Sequence, residues 1–276
     1  MMLSYAGDLD LRRPFIGLLS DFGLKDPYVA EMKAVILSIC RGAQIIDISH
    51  GIEKFNVRTG AFVLASAMPY FPEGAVYVAV VDPDVGTRRR PIVVETRRSL
   101  LVGPDNGLLM LAAEKEGVKH VYEINNTAFM LPRISRTFHG RDVFAPTAAF
   151  LTIGRLPSEA GSEINDYFIP KYAKLVLKNK TLSGEVLHID DFGNVITNIS
   201  EKDLNKLGAK KDVPLQVKLG RRVLSLRYCS AYGEVGVDEL LAVIGGHGFL
   251  EIAINQGNAA RKLRTKGGMS VRIARA

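Results

Sequence analysis

The run Ala75-Val76-Tyr77-Val78-Ala79-Val80-Val81 constrains this chain more than any other stretch, because it is apolar throughout and rich in β-branched residues. A strand with no polar face must be covered on both sides, as a central strand of a parallel sheet is when helices flank it. The run breaks into Asp82-Pro83-Asp84-Val85-Gly86-Thr87-Arg88-Arg89-Arg90 before Pro91-Ile92-Val93-Val94-Glu95 reads as the next strand. Pro83 and Gly86 mark a turn, and open α/β sheets bind ligands at turns beyond the carboxyl ends of their strands. A core needs neither the two carboxylates nor the three guanidinium groups of this turn.

The preceding sequence repeats the pattern. Pro14 to Leu19 reads as a buried strand ending in Ser20-Asp21-Phe22-Gly23, and Asp26 is placed to cap a helix opened by Pro27. Val29, Met32, Val35, Ile36 and Ile39 carry that helix to Gly42. A strand at Ile45 to Ile48 and a helix from Val57 to Met68 complete a β-α-β-α-β alternation, which predicts a doubly wound sheet. Beyond the turn come a strand at Leu100 to Val102, a loop Gly103-Pro104-Asp105-Asn106-Gly107, a helix from Leu108 to Glu116, and an apolar helix from Val143 to Ile153. Pro157 to Pro170 has linker composition and divides the chain into domains 1–170 and 171–276. In the second, short runs (182–189, 195–197, 215–219, 223–226, 240–244, 250–254 and 270–273) alternate with Gly and Asn/Asp turns. The expected architecture is therefore an α/β N-terminal domain with a mostly parallel sheet, followed by a small all-β, barrel-like domain.

A net charge of +7 and a pI near 9.4 raise nucleic acid as a partner. The basic residues are dispersed, however, and the densest group, Arg88 to Arg90 with Arg97 and Arg98, has no interleaved aromatics. We read a solvated basic surface and expect no nucleic-acid partner. No apolar run approaches the ~20 residues of a membrane span, and Met1 to Asp8 lacks a signal-peptide pattern, so the chain is expected in the cytoplasm and off the membrane. Cys40 and Cys229, distant and in no CxxC, suggest neither a zinc site nor a disulfide.

Asp21, His50, Asp82, Asp105 and His139 all fall where strands end or helices begin, a collection that first suggests a metallohydrolase. None has a metal-ligand spacing, and no metal site is assigned. Taken singly, each aspartate reads as a cap or turn residue. Asp190-Asp191-Phe192-Gly193-Asn194 reads as a β-turn, and Asn255-Gln256-Gly257-Asn258-Ala259-Ala260 as a turn with a helix cap. Gly245-Gly246-His247-Gly248 has no helix start behind it, which removes the basis for a phosphate cradle.

Read together, Ser20-Asp21-Phe22-Gly23, Asp82 to Thr87, Gly103 to Gly107, Phe138-His139-Gly140-Arg141-Asp142, Asp190 to Asn198 and Asn255 to Ala260 stand in one familiar order. The chain resembles, from about Phe15 to Ile273, the S-adenosyl-L-methionine (SAM) hydroxide adenosyltransferases, relatives of the bacterial fluorinase and chlorinase. The resemblance implies hydrolysis of SAM to adenosine and methionine without metal or organic cofactor. It further implies a homotrimer whose active sites lie between the first domain of one subunit and the second domain of its neighbour. It places a catalytic set at Asp82, Arg89 and His139, with Arg88 as the alternative arginine. Asp21 would hold the ribose hydroxyls, with Asp26 and Tyr28 near the ligand, and Phe138 and Phe192 would offer aromatic faces to the sulfonium. Phe192, Asn194 and Tyr232 would meet the adenine, and Asp190 or Asp191 the methionine ammonium. Gly140, Gly246, His247, Ile254, Asn255 and Gln256 would complete the wall. At Asp84, relatives commonly have glycine, and aspartate tolerates left-handed turn geometry better than most residues.

These residue types suit that chemistry. Methionine leaves as a neutral thioether and needs no general acid, so the difficulty lies in presenting water or hydroxide in line with the carbon–sulfur bond. Positioning of that kind contributes roughly 7–11 kcal/mol. A guanidinium stabilises developing hydroxide, and a carboxylate hydrogen-bonded to imidazole can accept the proton. Two alternatives share the site: a halogenase of the same fold, and a sensor that binds SAM or adenosine without turnover.

Overall fold

The structure is a computed structural model that describes residues 15–275, so the reading of Met1 to Asp8 and the start of the first strand at Pro14 lie outside the described residues. Strands β1 (Phe15–Ser20), β2 (Gln44–Ser49) and β3 (Val76–Val80) are parallel neighbours joined by helices α1 (Tyr28–Ile39) and α2 (Val57–Ala67). Next come β4 (Pro91–Thr96), β5 (Leu100–Pro104), α3 (Met110–Glu116), β6 (Val118–Ile124), α4 (Ala145–Thr152) and β7 (Gly161–Glu163). The sheet order is β2-β1-β3-β5-β4-β6-β7. β5 lies parallel beside β3, whereas the pairs β4–β5, β4–β6 and β6–β7 are antiparallel. The parallel character expected from the sequence thus holds from β2 to β5. It gives way beyond, because the connection from β4 to β5 is too short for a crossover and can only make a hairpin.

The apolar run behaves as its composition demands. Val76, Val78 and Val80 pack with α1 and α4 residues such as Met32, Ile36 and Ala148, while Tyr77, Ala79 and Val81 pack with Ala61, Leu64 and Leu109 on the opposite face. Three local expectations need correction. Asp26 does not cap α1: Pro27 is the cap residue, with no side-chain bond to the helix, and Asp26 is exposed. The helix expected from Val143 starts earlier, in a π-helical turn Gly140–Phe144 that runs directly into α4. The segment read as a linker contains β7, which pairs with β6 and extends the first sheet.

The second half forms β8 (Val176–Lys178), β9 (Thr181–Ile189), β10 (Val195–Ser200), α5 (Glu201–Leu207), β11 (Pro214–Leu219), β12 (Arg222–Cys229), β13 (Leu240–Ile244), β14 (Phe249–Ile254), α6 (Ala259–Leu263) and β15 (Ser270–Arg275). β10 pairs with both β14 and β9, which closes seven strands into a barrel, and β8 is added outside on β9. Alternate residues point inward, as at Leu215, Val217 and Leu219. Ser200 and Asp203 form a capping box on α5, and Asn258 caps α6. Leu187, Ile196 and Phe249 of the barrel join the core beneath α2 and α3, and Arg58 pairs with Glu185 across the same contact. Among the described residues, no helix is long and apolar enough to cross a membrane.

Candidate active site

Because β1, β2, β3 and β5 run the same way, the turns that leave them collect at one edge of the sheet. There a cavity of about 370 Å³ is lined by Asp21 and Phe22 after β1, Lys54 and Phe55 after β2, Asp82 and Val85 after β3, and Thr137 to Gly140 before α4. Tyr28, Phe22 and Phe138 form an aromatic trio in its wall, with ring centroids 5.2–5.7 Å apart. The turn after β3 is shaped by Gly86 at φ +77°, where any side chain would fall on the Arg136 carbonyl. The left-handed residue of this turn is therefore Gly86 and not Asp84.

Arg89 does not line this cavity; it lies behind Asp82 and His139, which do, and lines a neighbouring cavity with Asp84, Thr87, Asp105, Asn106 and Phe168. Its Nε and Nη2 donate to the two carboxylate oxygens of Asp82 at 3.1 and 2.5 Å, and Nη2 also lies 3.2 Å from His139 Nδ1. The guanidinium stands between carboxylate and imidazole, so the carboxylate–imidazole hydrogen bond expected from the chemistry is replaced by two bonds through Arg89. The Arg89 and Asp82 side chains are each 5% exposed. Burial pushes the Asp82 carboxyl above its ordinary value, and the Arg89 charge only partly opposes this. Burial, then Arg89, hold the His139 imidazole below its ordinary value. The ring is consequently neutral near neutral pH, with Nδ1 accepting from Arg89 and the proton on Nε2. Arg89 Nη1 is buried and has no acceptor among the described residues. Of the neighbouring arginines, Arg88 is exposed, and Arg90 is bound to Asp105 and Asp166.

Asp21 is buried, and its Oδ2 accepts the Phe55 N–H at 2.9 Å, while Lys54 Nζ donates to the Asp21 carbonyl. That leaves Oδ1 of Asp21 for a ligand.

A second cavity, of about 750 Å³, opens on the barrel. Asp190, Phe192 and Asn194 come from the β9–β10 turn, Tyr232 from the loop after β12, and Ile254, Asn255 and Gln256 from the end of β14. Asp190 accepts from the backbone N–H of Asn194 at 2.8 Å and from its Nδ2 at 2.9 Å, and Tyr232 donates to Glu251 at 2.6 Å. Burial and that bond hold the Tyr232 phenol above its ordinary value.

The two cavities have no lining residue in common. Asp26 and Asp191 are exposed and line neither. Gly246 and His247 also lie outside both: Tyr70 donates to the Gly246 carbonyl at 3.1 Å, and the His247 ring packs edge-on against Phe62. Sequence reasoning missed Lys54 and Phe55, whose loop carries no motif, and Arg261 on the barrel cavity. Glu251 had a visible signal, as the lone charge within the buried run Phe249–Ile254. Among the described residues, no group of three or more His, Cys, Asp or Glu side chains is placed to hold a metal ion.

Comparison with known proteins gives a consistent picture. The family model of the SAM hydroxide adenosyltransferase N-terminal domain matches residues 16–161, and that of the C-terminal domain matches residues 184–272. An (R)-S-adenosyl-L-methionine hydrolase of Thermus thermophilus is 39% identical over 92% of this chain and 97% of its own length. One of Methanocaldococcus jannaschii is 38% identical over 90% of this chain and 91% of its own. The crystal structure of a conserved protein from Thermotoga maritima superposes with a TM-score of 0.83 at 42% identity, covering 94% of this chain and all of that one.

Proposed function

The chain belongs to the SAM hydroxide adenosyltransferase family, and from that premise we propose that it is a cytoplasmic homotrimer that hydrolyses SAM to adenosine and L-methionine. The observation that carries the proposal is the buried guanidinium of Arg89, which binds Asp82 and His139 and keeps one further donor, Nη1, unengaged. A buried donor of that kind, held directly behind Asp82 and His139, stabilises the negative charge that grows on an attacking water oxygen. The oxygen bonds to ribose C5′ as the C5′–sulfur bond breaks, and the electron pair of that bond passes to sulfur, which leaves as a neutral thioether. The water proton goes to Asp82, whose affinity for it is raised by burial. His139, neutral and accepting from Arg89, keeps the guanidinium in the plane that serves both the carboxylate and the nucleophile. An ionised Asp82 at this position repels a halide, which argues against halogenation.

The cavity at the sheet edge carries Asp82 and His139, with Arg89 bound behind them, and Asp21, which we read as the ribose partner; the barrel cavity carries Asp190, Phe192, Asn194 and Tyr232, which we read as meeting the adenine and the methionine ammonium. Phe55 and Phe192, at 68% and 79% exposure, stand on their rims as uncovered aromatic faces. Two half-sites with no common residue support the reading that a complete site joins the first domain of one subunit to the barrel of another. The test mixes Asp82→Ala subunits with Asn194→Ala subunits and measures adenosine release. Each variant alone should be inactive. Random mixing restores about a quarter of the sites, because both intact halves meet at about one interface in four. Absence of recovery would refute the composite site, and unimpaired release by Asp82→Ala would refute the catalytic assignment.

A further inference from the structure

A hydrogen-bonded chain near Asp21, buried at Ser20 and His50 and open to solvent at Asp47 and Lys33, plays no part in the mechanism above. Lys33 Nζ lies 2.6 Å from Asp47 Oδ2, Asp47 Oδ1 lies 3.1 Å from His50 Nε2, and His50 Nδ1 lies 2.7 Å from Ser20 Oγ. Ser20 Oγ in turn accepts the Phe22 N–H at 3.3 Å. Ser20 is fully buried and His50 is 6% exposed. Burial opposes ionisation of Asp47, but hydrogen bonds from Lys33 and His50 outweigh it and hold the carboxyl below its ordinary value.

The direction of every bond in the chain then follows. An ionised Asp47 can only accept, so His50 Nε2 carries a ring proton, and in the neutral imidazole Nδ1 is then an acceptor. In that form the Ser20 hydroxyl donates to Nδ1, which leaves an oxygen lone pair for the Phe22 N–H. His50 also grips the far side of the same turn, where its carbonyl accepts the Gly23 N–H at 2.8 Å with Gly23 at φ +71°. Asp21 and Phe22 are thus clamped between two anchors from one residue. The Ser-His-Asp order does not make Ser20 a nucleophile, because it is sealed from solvent and its hydrogen is committed to the ring.

We propose that His50 is a positioning residue of the reaction: through Ser20 and Gly23 it fixes the turn after β1 so that Asp21 presents Oδ1 to the ribose hydroxyls of SAM. The proposal rests on the reading of Asp21 as the ribose partner. With Oδ2 already held by Phe55, the aim of Oδ1 is set by the backbone of this turn. A misplacement of about 1 Å in such a contact costs up to ~100-fold in rate.

The experiment compares adenosine formation from SAM with product formation from its 2′,3′-dideoxy analogue in four variants. Asp21→Ala should penalise SAM and spare the analogue. His50→Leu should do the same, lowering kcat/KM for SAM by about 10- to 100-fold, mainly through KM, and for the analogue by less than about 3-fold. His50→Gln, whose amide can donate to Asp47 and accept from Ser20, should restore most of the loss. Ser20→Ala removes a single buried oxygen and should reproduce the discrimination if His50→Leu folds poorly. Equal losses on both substrates in His50→Leu and Ser20→Ala, with Asp21→Ala still discriminating, would overturn the positioning role alone. Failure of Asp21→Ala to discriminate would overturn the ribose reading and the positioning role with it.

Discussion

Replacing Arg89 by methionine should destabilise the protein chiefly because it strands Asp82. Methionine keeps an unbranched apolar stem near Phe144, whose ring centre lies 5.4 Å from the guanidinium carbon, so the packing loss is small. Both charged side chains are 5% exposed and share two hydrogen bonds. Removing one member of such a buried pair costs about 3–5 kcal/mol, whereas replacing both members with uncharged groups is close to neutral. Arg89→Met should therefore lose about 3–5 kcal/mol near neutral pH, and Arg89→Met/Asp82→Asn should recover roughly half or more of that loss. The sign of the pH dependence follows from Asp82. Burial already raises its folded-state pKa, and loss of Arg89 raises it further above that of the unfolded chain. The folded variant then binds the proton more tightly than the unfolded chain does, so the penalty is fullest above the folded pKa and shrinks as pH falls through it. Urea unfolding followed by circular dichroism, at one protein concentration and at pH ~7.5 and ~5, measures both effects. Equal losses in the single and double variants, or a loss independent of pH, would refute the reasoning.

Two further outcomes follow from the geometry. On this reading the reaction needs Asp82 ionised and His139 neutral; burial raises the first above its ordinary 3.8 and lowers the second below its ordinary 6.5, so kcat/KM should fall with decreasing pH along an acid limb that begins above 3.8. A pH–rate profile that stays flat down to 3.8 would contradict this assignment. Gly193→Ala forces a side chain onto Asn258 at φ +85°, a strain of about 1–3 kcal/mol at the β9–β10 turn. It should raise the adenosine Kd about tenfold or more, by calorimetry, with kcat little changed.

Much of the architecture was legible because burial on two faces leaves an unmistakable record, as in Ala75 to Val81, and because Gly and Asn/Asp turns punctuate the barrel strands. Sheet order was not, since the insertion of β5 between β3 and β4 depends on a hairpin that local pattern cannot rank against its neighbours. β6 escaped notice because Lys119, His120 and Glu123 interrupt its apolar residues without a regular alternation. Asp26 has the composition of a cap, but the chain enters α1 through Pro27 in helical geometry, which leaves its side chain outside. At the site, Asp82 and His139 stood out as polar residues at element mouths. The choice of Arg89 among three arginines rested on the family spacing. Its physical basis is that Asp105 and Asp166 capture Arg90 and solvent surrounds Arg88, neither of which is visible along the chain.

The intervening position of β5 also orders events during synthesis. The loop that bears Asp82 and Arg89 arches over a strand that the ribosome delivers later, so β4 cannot take its place until Leu100–Pro104 have emerged and docked beside β3. The Asp82–Arg89 pair is thus enclosed only by residues synthesised after both its members, since His139 and Phe144, which meet the guanidinium, come later still.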